Sequence, residues 1–315
     1  MINLKDLKYL VAVADYQHFG KAANAAFVSQ PTLSGQIKKL EERLQVKIFE
    51  RTTRGVHITP IGQKIIAEAR QIADHVQNIE NYAAAQSDIL FGELKLGIIP
   101  TIAPYLVPHF LTQALTDHPE LNLSIHEDKT ETLYTMLSDF QLDVAIVATD
   151  IPSEHFEEII LYDEEFLLAC PKTHPLSKLD CVDARDICPE ELLLLPEGHC
   201  LRDQTLEICE LSKEVALGQA DLRAAGLQTV IELVRAGKGY TFLPQLAACN
   251  MIGPSDMMSI RPFSPKPSRK VRMVFRKSFP RIPCLKALAD LIMSSESLDE
   301  NINFTCGTPS PGSCS

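Results

Sequence analysis

Residues 197–209 read EGHCLRDQTLEIC, which sets two thiols, Cys200 and Cys209, nine positions apart with His199 before the first and Arg202 shortly after it. Cysteines in such company serve metal ligation, thiol redox exchange or plain core burial. A dithiol of the thioredoxin kind holds its sulfurs at Cys-x-x-Cys, within one helical turn, so this pair is not that motif. Zinc is disfavoured because neither Cys-x-x-Cys nor His-x-x-x-His spacing occurs, and Cys181, Cys188 and Cys200 are too dispersed to form a ligand set. No metal and no cofactor is expected. Burial is the ordinary fate of a cysteine and is the expectation for the other seven. At Cys200 the neighbouring His199, Arg202 and a helix start just beyond it offer the positive charge that a thiolate nucleophile needs.

The compartment decides whether such thiols begin reduced. The first residues, MINLKDLKYLVAVADYQHF, scatter charges among apolar positions and carry no small-residue cleavage site, unlike a secretory signal. No run approaches the roughly 18 apolar residues of a membrane span. A cytoplasmic protein without membrane contact is expected, where disulfides are transient or sensing, and an odd count of nine cysteines agrees.

Net charge is −11 over 315 residues, unevenly spread. Residues 1–60 hold nine basic and five acidic side chains, a net of +4, whereas residues 91–315 carry −13. Phosphate contact is therefore expected at the head alone.

The elements that must position these groups follow from the periodicity. Leu7, Leu10, Val11 and Val13 recur at helical spacing, as do Ala22, Ala23 and Ala26. A break at Val28-Ser29-Gln30-Pro31 opens a third helix with Leu33, Ile37, Leu40 and Leu44 as its buried stripe, Pro31 at the first helical position and Ser29 or Gln30 as the cap. This is a helix-turn-helix pattern. ERTTRGVHITPIG then reads as a two-stranded wing carrying Arg51 and Arg54. After Pro60 a long helix has Ile65, Ile66, Ala69, Ile72, Ala73, Val76 and Ile79 along one face and is expected to pack on a second copy. From residue 91, strand-like runs (ELKLGIIP, LNLSIHED, LDVAIVA, EFLLAC, ELLLLP, VALGQA, YTFLP, KVRMVFR) alternate with helical patterns, which predicts an α/β body whose length suits two lobes. The Gly-, Pro- and Ser-rich residues 301–315 predict a disordered tail.

Ser29, Gln30, Pro31, Thr32, Ser34 and Gln36 at the start of the third helix would face base edges, with Lys38, Arg51 and Arg54 available to phosphates or a flanking minor groove. The same Ser and Gln residues also suit mere capping and solvation.

The head residues FGKAANAAFVSQPTLSGQIKKLEERLQVKIFERTTRGVHITPIG resemble the helix-turn-helix of the LysR-type transcriptional regulators almost throughout. GIIPTIAPYLVPH (97–109), HEDKTETL (126–133), EGHCLRDQ (197–204) with Cys209, and PSRKVRMVFR (267–276) extend the resemblance to the peroxide-sensing branch of that family, up to about residue 295. Cys170, Cys181, Cys188, Cys249, Cys284, Cys306 and Cys314 stand outside that pattern and leave room for other pairings.

The resemblance implies an all-α winged helix-turn-helix head (1–59), a linker and dimerisation helix (60–90) and a two-lobed α/β regulatory domain like the periplasmic binding proteins (91–300). It implies that Thr101, Thr130, His199 and Arg269 line a peroxide pocket around Cys200, with Asp203 nearby. Cys200 would be oxidised to a sulfenic acid and Cys209 would resolve it to a disulfide. Implied partners are promoter DNA at palindromic sites, a homodimer or homotetramer, RNA polymerase, hydrogen peroxide as the signal, and a glutaredoxin or thioredoxin-type reductant. A disulfide needs Cα atoms within about 7 Å. Nine residues of helix at about 1.5 Å each hold the two cysteines some 13 Å apart, so closing the bond would demand local refolding. Two other functions compete: a regulator binding a metabolite between its lobes, with Thr101 and Thr130 suiting an anion, and a thiol peroxidase. The paired cysteines disfavour the first and the helix-turn-helix the second, so no enzyme is expected.

Overall fold

The structure is a computed structural model that describes residues 2–52, 55–84, 89–212, 226–249 and 257–294. The chain divides into two compact units, one of residues 1–87 with 138–141, the other of 88–137 with 142–315.

In the first unit, α1 (Leu4–Tyr16) opens on a reciprocal cap: the Asn3 side chain accepts from the Asp6 amide at 2.8 Å while the Asp6 carboxylate accepts from the Asn3 amide. The next helix, α2 (Phe19–Ala25), starts at His18, whose Nδ1 accepts from the Gly20 and Lys21 amides. Ser29 caps α3 (Gln30–Leu44) by accepting from the Thr32 amide at 3.3 Å. Gln30 is thus the first helical residue and Pro31 the second, one place later than the sequence reading put it. A proline is tolerated anywhere in that turn because its amides have no intrahelical acceptor.

Ala22 and Ala23 are buried beneath Leu33, Ile37 and Leu40 in one core with Leu10 and Val13. Each such leucine contributes about 1.5–3 kcal/mol on leaving water. Strands β1 (Phe49–Thr52) and β2 (Gly55–Ile58) form the antiparallel wing. The buried Glu41 carboxylate accepts from the amides of Ile48 and Phe49 at 2.8 and 3.0 Å and so fixes the wing's root to α3. Helix α4 (Pro60–Ala84) follows. It packs Ile66, Ala69 and the Arg70 stem inward, with Arg70 paired to Asp15, and leaves Ile72 and Ile79 exposed. Gly62 has no alternative, since a Cβ there would meet the Ile48 carbonyl at 2.4 Å.

In the second unit, β3 (Gly92–Ile98) lies between β4 (Leu121–Glu127) and β5 (Val144–Val147), parallel to both, as expected for strands joined through α5 (Ala103–Asp117) and α6 (Thr130–Ser138). Strand β6 (Phe156–Pro171) is sixteen residues long. Its first part pairs antiparallel with β9 (Ser268–Arg276), itself antiparallel to β5; its last part pairs with β7 (Thr241–Pro244) and β8 (Met258–Pro262). One mixed seven-stranded sheet thus runs through two lobes, which β6 and β9 connect. Against it pack α8 (Leu227–Arg235), α9 (Gln245–Cys249) and α10 (Ile282–Met293). The α/β expectation holds, with two corrections. ELLLLP forms no strand, only an isolated bridge from Leu192 to Tyr240, and MSIRP, read as no element, is β8. VALGQA, Arg54 and residues 301–315 lie outside the described residues. Among the described residues no helix is long and apolar enough to cross a membrane.

Candidate functional site

Helix α7 (Cys200–Ile208) begins at the first cysteine and is followed at once by the second, Cys209, at its C-cap. Both thiols are free and half-buried against the core of the second unit. Leu201, Thr205 and Leu206 are buried, the Thr205 hydroxyl donates to the Leu201 carbonyl at 2.7 Å, and Gln204 Nε2 donates to the Ala148 carbonyl at 2.7 Å. The helix is therefore docked along its whole length. At 1.5 Å per residue its ends stand about 13 Å apart, roughly twice the reach of a disulfide.

Cys200 faces a shallow recess of about 170 Å³, open solvent included, lined by Ile99, Pro100, Thr101, Lys129, Thr130, Gly198 and His199 as well. Arg269 approaches from β9. Its guanidinium is buried against Glu164, with Nε and Nη2 at 2.9 and 2.8 Å from Oε2, and its Nη1 donates to the Thr101 hydroxyl at 3.3 Å. Glu164 and Arg269 are direct cross-strand neighbours in the β6–β9 ladder, and Glu164 also accepts from the Leu246 amide at 3.1 Å. A buried arginine held in this way keeps its charge and its direction.

These surroundings set the thiol's acidity by competition. Burial, the largest influence, pushes Cys200 up; Arg269, the Thr130 hydroxyl and the amides of Leu201 and Cys200 pull it down without prevailing, so the resting group is a thiol above the ordinary 9.0. The buried Thr130 hydroxyl is the side-chain hydrogen-bonding group that lowers the thiol. Cys209 is pushed up to about 11 by burial alone.

Of the groups expected to favour the thiolate, the helix start does so through the Leu201 and Cys200 amides and Arg269 does so as a charge, whereas His199 and Arg202 do not act as cations there. Burial, and after it Lys129, lowers His199, which is therefore neutral near pH 7 and offers a hydrogen bond rather than a charge. Arg202 donates Nη1 to the Leu195 carbonyl at 3.0 Å and takes no part. The cation that favours the thiolate is Arg269, almost seventy positions further along the chain. Thr101, Thr130 and His199 do meet at Cys200, whereas Asp203 is exposed and does not line the recess.

Two participants escaped the sequence reading. Glu164 had no local signal, since its partner lies 105 residues away. Lys129 stands within the quoted HEDKTETL run. Its Nζ donates to the Glu197 carbonyl at 2.8 Å, and its stem lies over Gly198, where a Cβ would come within 3.1 Å of it and where φ is +86°. The positive φ favours glycine there, while the contact with the flexible Lys129 stem alone would not demand it.

On the first unit, Gln30, Pro31 and Thr32 are exposed, Ser34 and Gln36 half-buried, and Lys38 exposed 3.7 Å from Glu42. Ser29 is engaged as the cap, and its hydroxyl lies 2.7 Å from that of Thr32. Arg51 belongs to β1, its side chain outside the described residues. Among the described residues no group of three His, Cys, Asp or Glu side chains is placed to hold a metal.

Residues 4–63 match the family model of the bacterial regulatory helix-turn-helix protein, lysR family, and residues 88–296 match that of the LysR substrate binding domain. The chain is 38% identical over 291 residues to the DNA-binding transcriptional dual regulator OxyR of Escherichia coli, covering 92% of this chain and 95% of that protein. It is 38% identical over 302 residues to a probable hydrogen peroxide-inducible genes activator of Mycobacterium leprae, covering 96% and 97%. Among solved structures, a cysteine-to-aspartate variant of full-length OxyR from Pseudomonas aeruginosa superposes with a TM-score of 0.80 at 36% identity, over 94% of this chain and 99% of that one. A hydrogen-peroxide-bound mutant of Corynebacterium glutamicum OxyR superposes at 0.65 with 32% identity, over 95% and 94%.

Proposed function

The chain belongs to the LysR family of bacterial transcription regulators, and from that premise we propose that it is a hydrogen-peroxide sensor whose DNA contacts change when Cys200 is oxidised. The observation that carries this reading is Cys200 at the head of a docked helix, beside Arg269, Thr101, Thr130 and His199, with Cys209 at the other end. The Cys200 thiolate attacks one peroxide oxygen, the O–O bond breaks, and the departing hydroxide takes up a proton to become water. Arg269 and the hydroxyls of Thr101 and Thr130 stabilise the charge that develops on the way. The Cys209 thiol then displaces a second water from the sulfenic acid and forms the disulfide.

In the same reading, residues 1–59 bind promoter DNA through Ser29, Gln30, Pro31, Thr32, Ser34, Gln36, Lys38, Arg51 and Arg54. Residues 60–90 dimerise the chain, and residues 91–300 sense and associate into a tetramer. The protein works in the cytoplasm without catalytic turnover. The oxidised form engages RNA polymerase, and a glutaredoxin or thioredoxin-type reductant resets it. Footprinting of a candidate promoter with reduced, peroxide-treated and metabolite-treated protein tests the reading, together with an assay of peroxide consumption. The footprint should change with peroxide alone, in proportion to one disulfide per chain, and should stay in its reduced pattern in Cys200→Ser. A change in that variant would remove Cys200 as the sensor.

A further inference from the structure

The turn between α2 and α3 carries a side chain that the fold itself does not use. Phe27 is 96% exposed, the most exposed large apolar residue among those described. Its backbone has a φ of 53°, the left-handed region that asparagine or glycine occupies at less cost. The conformation is held firmly: the Phe27 amide donates to the Asn24 carbonyl at 3.1 Å and the Val28 amide to the Ala23 carbonyl at 2.9 Å. Val28 packs on the head's core, and the Phe27 ring does not. An apolar ring in water on a strained backbone opposes stability twice over.

Its position indicates what would cover it. Phe27 is two residues before the Ser29 cap, and from there Gln30, Pro31 and Thr32 continue as an exposed surface along the first turn of α3. When the start of a recognition helix enters the major groove, the residues just before it sit at the groove's rim. The groove offers one apolar group there, the C5-methyl of thymine, which aromatic side chains contact.

We propose that Phe27 is a DNA-reading residue whose ring covers a thymine methyl at the rim of each half-site. This rests on α3 being the helix that reads the bases. The contact is apolar, so it adds to affinity without neutralising a phosphate. It therefore selects thymine at one position while leaving the salt dependence of binding untouched.

Phe27→Asn and Phe27→Ala in the full-length protein, titrated by fluorescence anisotropy against the footprinted duplex, test it. Affinity should fall about five- to tenfold at fixed salt, with the slope of log affinity against log salt unchanged. The melting temperature of Phe27→Asn should not fall, because asparagine relieves the backbone strain. Single dT-to-dU replacements, which delete only the methyl, should reveal one position per half-site where the wild type loses affinity and the variants do not. Wild-type affinity in both variants, the absence of such a position, or a changed oligomeric state as the sole effect would overturn the proposal. Gln30→Ala separates the underlying assumption. If it leaves base preference intact everywhere, α3 is not the reading helix and the failure lies there, whereas lost preference with unaltered Phe27 variants overturns the role of Phe27 alone.

Discussion

Cys200 illustrates how a residue's reactivity is the balance of unlike neighbours. Burial favours the neutral thiol and, of all the influences on it, is the strongest; Arg269, Thr130 and two amides favour the thiolate. The folded group lies above its ordinary value, so thiolate is the minor form at neutral pH, and its fraction rises about tenfold per pH unit until the raised pKa is reached. Loss of the Cys200 thiol to peroxide should accelerate accordingly, about tenfold per unit between roughly pH 6.5 and 8.5, as followed by quenched alkylation and mass spectrometry. Because His199 is already neutral there, no second inflection is expected. A rate independent of pH across that window would show that the thiolate is formed at rest, against the weight given to burial. At this scale the sequence was informative where chemistry is local: EGHCLRDQ exposed Cys200 and His199. It misassigned Arg202, whose nearness in the chain stood in for nearness in space. Glu164 was invisible because nothing adjacent to it hints at a partner on another strand.

Helix α7 is the element whose integrity the reaction contests. Its buried Leu201 and Leu206 and the Gln204 bond to Ala148 hold the reduced arrangement, and the disulfide can form only after the turns between the cysteines come apart. Anything that weakens docking of the helix therefore favours oxidation. Leu206→Ala should cost the reduced form about 2–3 kcal/mol. If Leu206 is undocked in the disulfide form, that becomes a shift of about 45–65 mV in the Cys200–Cys209 midpoint toward more negative values. Equilibration in glutathione buffers with mass-spectrometric readout measures this; an unmoved midpoint would mean that Leu206 stays docked after oxidation. Regular elements with a one-sided apolar period, such as α3 and β3, were legible from their residues. The 16-residue β6 was read only at its EFLLAC end, because FEEIILYDE lacks strand alternation: Ile159, Ile160, Leu161 and Tyr162 run together between four acids, and the pairing register shifts between Ile160 and Tyr162. ELLLLP misled in the opposite sense: a continuous apolar run is equally at home in a buried loop, and here it contributes Leu193 and Leu195 to the core while only Leu192 bridges.

For the whole molecule, assembly and charge decide how the sensor meets its operator. Ile72 and Ile79 stand two turns apart on α4 and are 41% and 68% exposed, as a helix awaiting a second copy would present them. The double change Ile72→Glu with Ile79→Glu should lower the mass found by sedimentation and weaken binding to a two-half-site operator at least about tenfold, since each head then binds alone. Dimers of unchanged mass would place the interface elsewhere. The head's net +4 against −13 from residue 91 onward keeps DNA to one part of the molecule. That much is countable in the sequence; the sharing of one sheet by two lobes is not, because β6 and β9 pair across more than a hundred residues. The Glu164–Arg269 pair lies directly across that ladder, so the cationic half of the site is built into the sheet and only the helical half need be undone. Time follows from this division. Once the disulfide is reduced, nine residues have to rewind onto an intact seat, an event of about a microsecond, whereas thiol exchange takes seconds to hours. The protein keeps no clock of its own, and the length of its response is set by the supply of reductant.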